Sequence, residues 1–207
     1  MIRVLLVHDT RLLRSALGAL LSTARDIETT ASSWRNAPST TRSLRPHVCV
    51  VDVDCPGAAG ISGFAGDTGL TKLDPSGAQN KHPLLVLANA GHPGCLRQAY
   101  EAKALGYVDK DAPPDRLLNA IRQVAKGERF VDDALGYGFL QAAEIPLTKR
   151  ELSVLTLAAE GASVGDIARR LHLSHGTVRN YMAAITRKTG ARNRVDAIRI
   201  SQSAGWL

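Results

Sequence analysis

The chain has 207 residues, enough for two small domains that each bury an apolar core. Its net charge of +7 is unevenly spread: residues 147–207 hold ten basic and four acidic side chains, residues 1–146 sixteen and fifteen. A basic module behind a near-neutral one predicts nucleic acid, ahead of a membrane, as the partner of the C-terminal part.

Cys49, Cys55 and Cys95 form no C-x-x-C pair and no metal-type spacing with the histidines, so reduced thiols in a cytoplasmic protein are expected. The first apolar run, Val4–Val7, is too short for a signal segment or a membrane span, and no membrane partner is expected.

Ile2–Val7 reads as a strand, and Leu12, Leu13, Ala16, Leu17, Leu20 and Leu21 recur behind it at helical spacing. A weaker strand over 27–31 and a weaker helix over 35–44 follow. Val48–Val53, apolar except for Asp52, shows no alternation, as a parallel strand covered on both faces requires, and Leu84–Ala88 repeats the pattern. A helix over 94–105, stopped at Gly106, leads to a short strand at 107–109. Pro113 and Pro114 open a helix that ends before Gly127. This βα alternation predicts a doubly wound, flavodoxin-like α/β domain over 1–126. One segment breaks the rhythm. Gly60, Gly63, Gly66, Gly69, Gly77 and Pro75, at about 1 kcal/mol per Gly and about 3 for Pro, predict an irregular loop over 60–83 in place of a third helix.

A connector is expected over 127–145, with one short helix near 133–142, followed by an all-α domain over 146–207. Thr148 and Glu151 form a capping box ahead of Leu152, Leu155 and Ala158, and Gly161 closes that helix. Ser163 with Asp166, and Asn193 with Asp196, repeat the capping pattern. The turn Leu171–Ser174 is too brief for antiparallel neighbours, so the helices on either side should cross as a helix-turn-helix. Ser174 caps the second of them, on which Val178, Met182 and Ile185 face the core.

Arg179, Asn180, Ala183 and Arg187 then point outward. Arg and Asn match guanine and adenine edges in the major groove, whereas Lys188, Arg192 and Arg194 suit phosphates. His175 and Thr177, at the helix N-terminus, add candidate phosphate contacts. Double-stranded DNA is the expected partner.

The stretch LTKRELSVLTLAAEGASVGDIARRLHLSHGTVRNYMAAITRKTGARNRVDAIRI, residues 147–200, closely resembles the LuxR-type DNA-binding domain of NarL/FixJ response regulators. The resemblance implies that Arg179 and Asn180 approach bases and that the last helix supports a homodimer. A third base-reading position of some members falls on Ala183, which cannot hydrogen-bond, implying a different recognised sequence.

Residues 1–126 resemble the receiver domain that accompanies this module. RPHVCVVDVDCPGAAG, 45–60, corresponds to its third strand and turn and puts Asp52 at the phosphoacceptor position. GYVDKDA, 106–112, corresponds to the segment with the receiver's lysine, here Lys110, and its switch aromatic, here Tyr107. Receivers supply two adjacent acids after the first strand; here the pair is His8 and Asp9. Imidazole is a poor ligand for Mg²⁺, which prefers hard oxygens, so no cofactor is expected and Mg²⁺ would be held weakly. The switch hydroxyl of receivers corresponds to Ala88, which cannot bond a phosphoryl oxygen.

These departures surround one pocket and predict an atypical receiver, controlled by a small-molecule ligand or a partner, with a sensor kinase left open. Three alternatives use the same residues. A conventional phosphorylation-activated receiver would tolerate His8. Asp52 and Asp54 resemble the D-x-D opening of haloacid-dehalogenase-type phosphatases, with Pro56 where that family has Thr or Val. A transition-metal site would use His8 with Asp9 or Asp52.

Overall fold

The structure is a computed structural model describing residues 1–55 and 82–207. Nearly all of the 60–83 segment lies outside the described residues. The chain divides into two compact units, Met1–Ala90 with Cys95–Phe139, and Leu140–Leu207 with Gly91–Gly94.

In the first unit the strands are β1 (Ile2–Val7), β2 (Ile27–Ser32), β3 (Val48–Asp52), β4 (Leu84–Ala88), β5 (Gly106–Asp109) and β6 (Phe130–Val131). They form one parallel sheet in the order β2-β1-β3-β4-β5-β6. Every residue of β3 and β4 is buried, as apolar runs broken only by Asp52 at the end of β3 require of strands covered on both faces. The helices are α1 (Arg11–Leu21), α2 (Ala37–Leu44), α3 (Pro93–Glu101) and α4 (Pro114–Ala125). Leu117, Ala120, Ile121 and Val124 of α4 pack with Val50, Leu85 and Val108 of the sheet.

Two segments differ from expectation. The helix expected to run to 105 stops at Glu101: Lys103 adopts a left-handed φ of 59°, and the Leu105 amide donates to Leu84 O, drawing the chain to the sheet. The segment expected as a connector contributes β6, because the Phe130 amide donates to Leu105 O and the Asp132 amide to Tyr107 O. A 3-10 turn at Asp133–Leu135 then leads into α5 (Gly136–Ala143). Gly138 lets this helix approach closely, since a Cβ there would stand 2.6 Å from Leu96 Cδ1 and 2.7 Å from Ala90 O. Its neighbour Phe139 meets Tyr107 edge-on, with ring centroids 5.1 Å apart.

The second unit contains α6 (Lys149–Ala159), α7 (Val164–Leu171), α8 (His175–Thr189) and α9 (Arg194–Ser203). Thr148 and Glu151 make the full reciprocal capping box, and Ser163, Ser174 and Asn193 each accept the amide three residues on. Between α7 and α8 the chain turns through a left-handed His172, φ 55°, and Leu173 N donates to Ala168 O. Val154, Leu155, Ala158, Ile167, Val178, Ile185 and Ala197 form the core.

Candidate functional site

The strand register builds a pocket at the C-terminal edge of the sheet, where doubly wound domains hold their ligands. Val7 of β1 pairs with Val51 of β3, so the following residues, His8 and Asp52, emerge side by side. Lys110 follows β5, and its amide donates to Ala88 O at the end of β4. The structure thus brings together His8, Asp52, Asp54, Ala88 and Lys110 from four strands.

Both oxygens of the Asp52 carboxylate are engaged. Lys110 Nζ lies 2.6 Å from Oδ1, which also accepts the Asp54 amide at 2.9 Å. His8 Nε2 stands 3.2 Å from Oδ2. The opposite ring nitrogen of His8, Nδ1, accepts the Thr10 amide at 3.0 Å, which assigns the proton to Nε2 and makes His8 a donor to Asp52. His8 is only 3% exposed, held in this orientation between a backbone amide and a carboxylate.

Lys110 also reaches Asp54 Oδ2 at 2.7 Å. Burial pulls its ammonium down, but the two carboxylates more than reverse this and raise its pKa. Asp9 is exposed and turned aside: its Oδ1 accepts the Trp34 amide at 2.9 Å, and its own amide donates to Cys55 Sγ. Arg14 donates to the carbonyls of His8 and Asp9.

The donor set does not fit Mg²⁺, which needs oxygen ligands in near-octahedral array, since an imidazole N–H points toward Asp52. The transition-metal alternative meets the same obstacle: Nε2 presents a proton instead of a lone pair. Among the described residues no group of three His, Cys, Asp or Glu side chains is arranged to hold a metal ion. Ala88 is fully buried and offers no hydroxyl. Tyr107 is buried beside Phe139, and burial pushes its hydroxyl pKa up to about 12.

Sequence reasoning missed Cys95, whose thiol donates to Asp54 and whose pKa burial and that carboxylate push up to about 12. It also missed the Thr10 amide, the Trp34 amide and Arg14. Backbone groups carry no residue-type signal, and Arg14 reads in the sequence as an ordinary helix-surface charge.

On the second unit, α8 buries Val178 and Ile185 and exposes Arg179, Asn180, Ala183 and Arg187. Ser174 Oγ accepts the Thr177 amide and lies 2.9 Å from Thr177 Oγ1, so both hydroxyls serve the cap. His175 is exposed at the same helix start, and Arg192 is exposed beyond the helix end. Two residues expected at phosphates also have internal partners. Lys188 Nζ donates to the buried Glu151 at 2.7 Å, and Arg194 Nη2 donates to Ala158 O and Ala162 O, closing the C-terminal end of α6.

A doubly wound parallel domain with an aspartate–lysine pocket at its strand ends, followed by a capped helix-turn-helix domain, defines the response regulators that act on DNA. Residues 145–201 match the family described as bacterial regulatory proteins, luxR family. The response regulator RamR of Streptomyces coelicolor is 50% identical over 207 residues, covering 100% of this chain and 98% of that protein. The transcriptional regulatory protein DesR of Bacillus subtilis is 33% identical over 209 residues, with 100% of both covered. Among solved structures, the response regulator ChrA of a heme-sensing two-component system is 28% identical with a TM-score of 0.54, covering 100% of this chain and 98% of that one. RcsB from Salmonella enterica serovar Typhimurium, solved bound to a promoter, shares the fold with a TM-score of 0.72 at 21% identity, over 98% of this chain and 100% of that one. The chain belongs to the NarL/FixJ family of response regulators and is a DNA-binding transcriptional regulator with a receiver and a LuxR-type helix-turn-helix domain. Among the described residues no helix is long and apolar enough to cross a membrane.

Proposed function

We propose that this regulator is controlled without Mg²⁺-dependent phosphorylation of Asp52, through a ligand or a protein partner that acts on the receiver. The observation that carries the proposal is the engagement of both Asp52 oxygens by His8 and Lys110. A phosphoryl group arriving at Asp52 needs a metal to neutralise its oxygens, and where a receiver's second acid would stand His8 offers a neutral N–H. Ala88 removes the hydroxyl that would read the phosphoryl group. Asp52 and Asp54 work in this reading as acceptors that hold Lys110, not as nucleophile and general acid.

On DNA, Arg179 and Asn180 read bases from the exposed face of α8, while Arg187 and Arg192 meet phosphates, with His175 adding a contact at the helix start. The chain acts as a homodimer on two half-sites. Support comes from the outward side of α9, where Val195 is 74% exposed beside the exposed Arg199 and Gln202.

Conventional phosphorylation remains the competing reading, favoured by the retained Asp52–Lys110 pair. Treating the full chain with acetyl phosphate and Mg²⁺ separates the two. We expect no acid-labile label on Asp52 and no change in DNA affinity; label on Asp52 with tighter DNA binding overturns the proposal.

A further inference from the structure

Packing accounts for Val178 and Ile185 on α8, which are fully buried, but not for Ala183, which is exposed on the opposite side. At 3.6 residues per turn, Ala183 falls between Arg179 and Arg187 on that side, with Asn180 alongside. Arg179 and Arg187 carry long, polar side chains that reach away from the helix axis. Ala183 brings a single methyl group close to the backbone, and nothing in it can donate or accept a hydrogen bond. A groove floor facing that methyl is met by an apolar contact or by none.

We propose that Ala183 is a specificity-determining residue whose methyl packs against the C5 methyl of a thymine in the major groove. Thymine alone among the four bases presents a methyl there, and alanine is an apolar partner of the right size. Four residues of helix advance about 6 Å and one base step about 3.4 Å, so this thymine lies within about two base pairs of the guanine read by Arg179. The short side chain also lets the helix backbone sit deep enough for Asn180, itself short, to reach an adenine edge. The inference rests on the base-reading role proposed above for α8.

The test begins with in vitro selection of the sequence preferred by the full chain, followed by replacement of each thymine with deoxyuridine, which removes the C5 methyl and leaves pairing intact. For the wild-type chain, deoxyuridine at one thymine per half-site weakens binding about four-fold, the worth of one methyl group withdrawn from water. In Ala183→Gly the thymine and deoxyuridine sites bind equally. Ala183→Ser, which keeps the helix well formed, loses the preference for thymine at that position. Full tolerance of deoxyuridine by the wild-type chain, or an undiminished penalty in both variants, overturns the assignment. Arg179→Ala serves as the separate arm: loss of its guanine preference alongside either of those results leaves base reading by α8 intact and removes Ala183 alone. A chain that selects no sequence overturns both.

Discussion

Lys188 on α8 donates to Glu151 Oε2 on α6 at 2.7 Å, and the Glu151 side chain is only 6% exposed. The same oxygen accepts the Thr148 amide at 2.7 Å, so one carboxylate closes the α6 cap and ties α6 to the last turn of α8. Lys188→Ala is therefore expected to destabilise the helix-turn-helix domain by about 1.5–3 kcal/mol, the cost of losing a hydrogen bond to a buried charge. Its effect on DNA should follow the folded fraction, with the salt dependence of binding unchanged; a shallower salt slope from a fully folded variant would return Lys188 to the phosphates.

The same contact sets an acid limit. Burial pushes the Glu151 carboxyl up, but the Lys188 ammonium and the Thr148 bonds outweigh it and hold the pKa below the ordinary value of 4.5. The depressed folded pKa means that this stabilisation is complete above the unfolded value and is lost as pH falls through the folded one. Urea unfolding of the full chain should show a loss of stability below about pH 4.5 that is smaller in Glu151→Gln.

Tyr107 and Phe139 make a second contact with a measurable value. Their edge-on pair contributes about 0.5–1.5 kcal/mol beyond area burial, and Phe139→Leu should remove it while keeping most of the apolar surface. Gly138→Val should cost more, because the added atoms meet Leu96 and the Ala90 carbonyl. Hydrogen exchange should then rise in the first turn of α5 before it rises in β4 or β5. Equal protection in both variants and the wild type would mean that this turn holds its position without the contact.

Replacing Arg179 or Asn180 with Ala should cost about 1–3 kcal/mol at cognate sites and relax sequence preference. Arg187→Ala and Arg192→Ala should instead weaken specific and non-specific DNA alike, each making the log–log salt slope shallower by about one. Fluorescence anisotropy across a salt series distinguishes these effects, and equal losses on all DNA from Arg179→Ala would take it out of base readout.

In the pocket, His8→Asp supplies the second carboxylate and is expected to raise Mg²⁺ affinity, measured by isothermal titration of the full chain. Ala88 still lacks a hydroxyl, so beryllofluoride should shift the dimer population little even in that variant. Asp52→Asn in the otherwise native chain should leave DNA binding nearly unchanged. A large loss from Asp52→Asn, with the fold intact by circular dichroism, would tie DNA binding to the charge at Asp52.

Most of the strands and helices, though not β6, and the order of the two domains were legible because each depends on local periodicity and punctuation: the apolar runs of β3 and β4, the prolines opening α4, the Thr148–Glu151 box. The outward face of α8 was legible for the same reason, since a helix presents residues at a known angular spacing. Asp52, His8 and Lys110 were legible as pocket residues, because parallel strands deliver their C-terminal ends to one edge. What each of them does there was decided by tertiary structure. The Thr10 amide assigns the His8 proton, and Asp54 shares the ammonium that Asp52 would otherwise hold alone. Lys188 and Arg194 carry the charge expected at DNA, and the fold gives them a buried carboxylate and two helix-end carbonyls as partners. Charge and residue type are properties of the chain, whereas the partner that satisfies a charge depends on distances between segments far apart in sequence. Desolvation strengthens the cost of leaving such a partner unpaired, so the folded core, not the side chain's own preference, determines which contact is made.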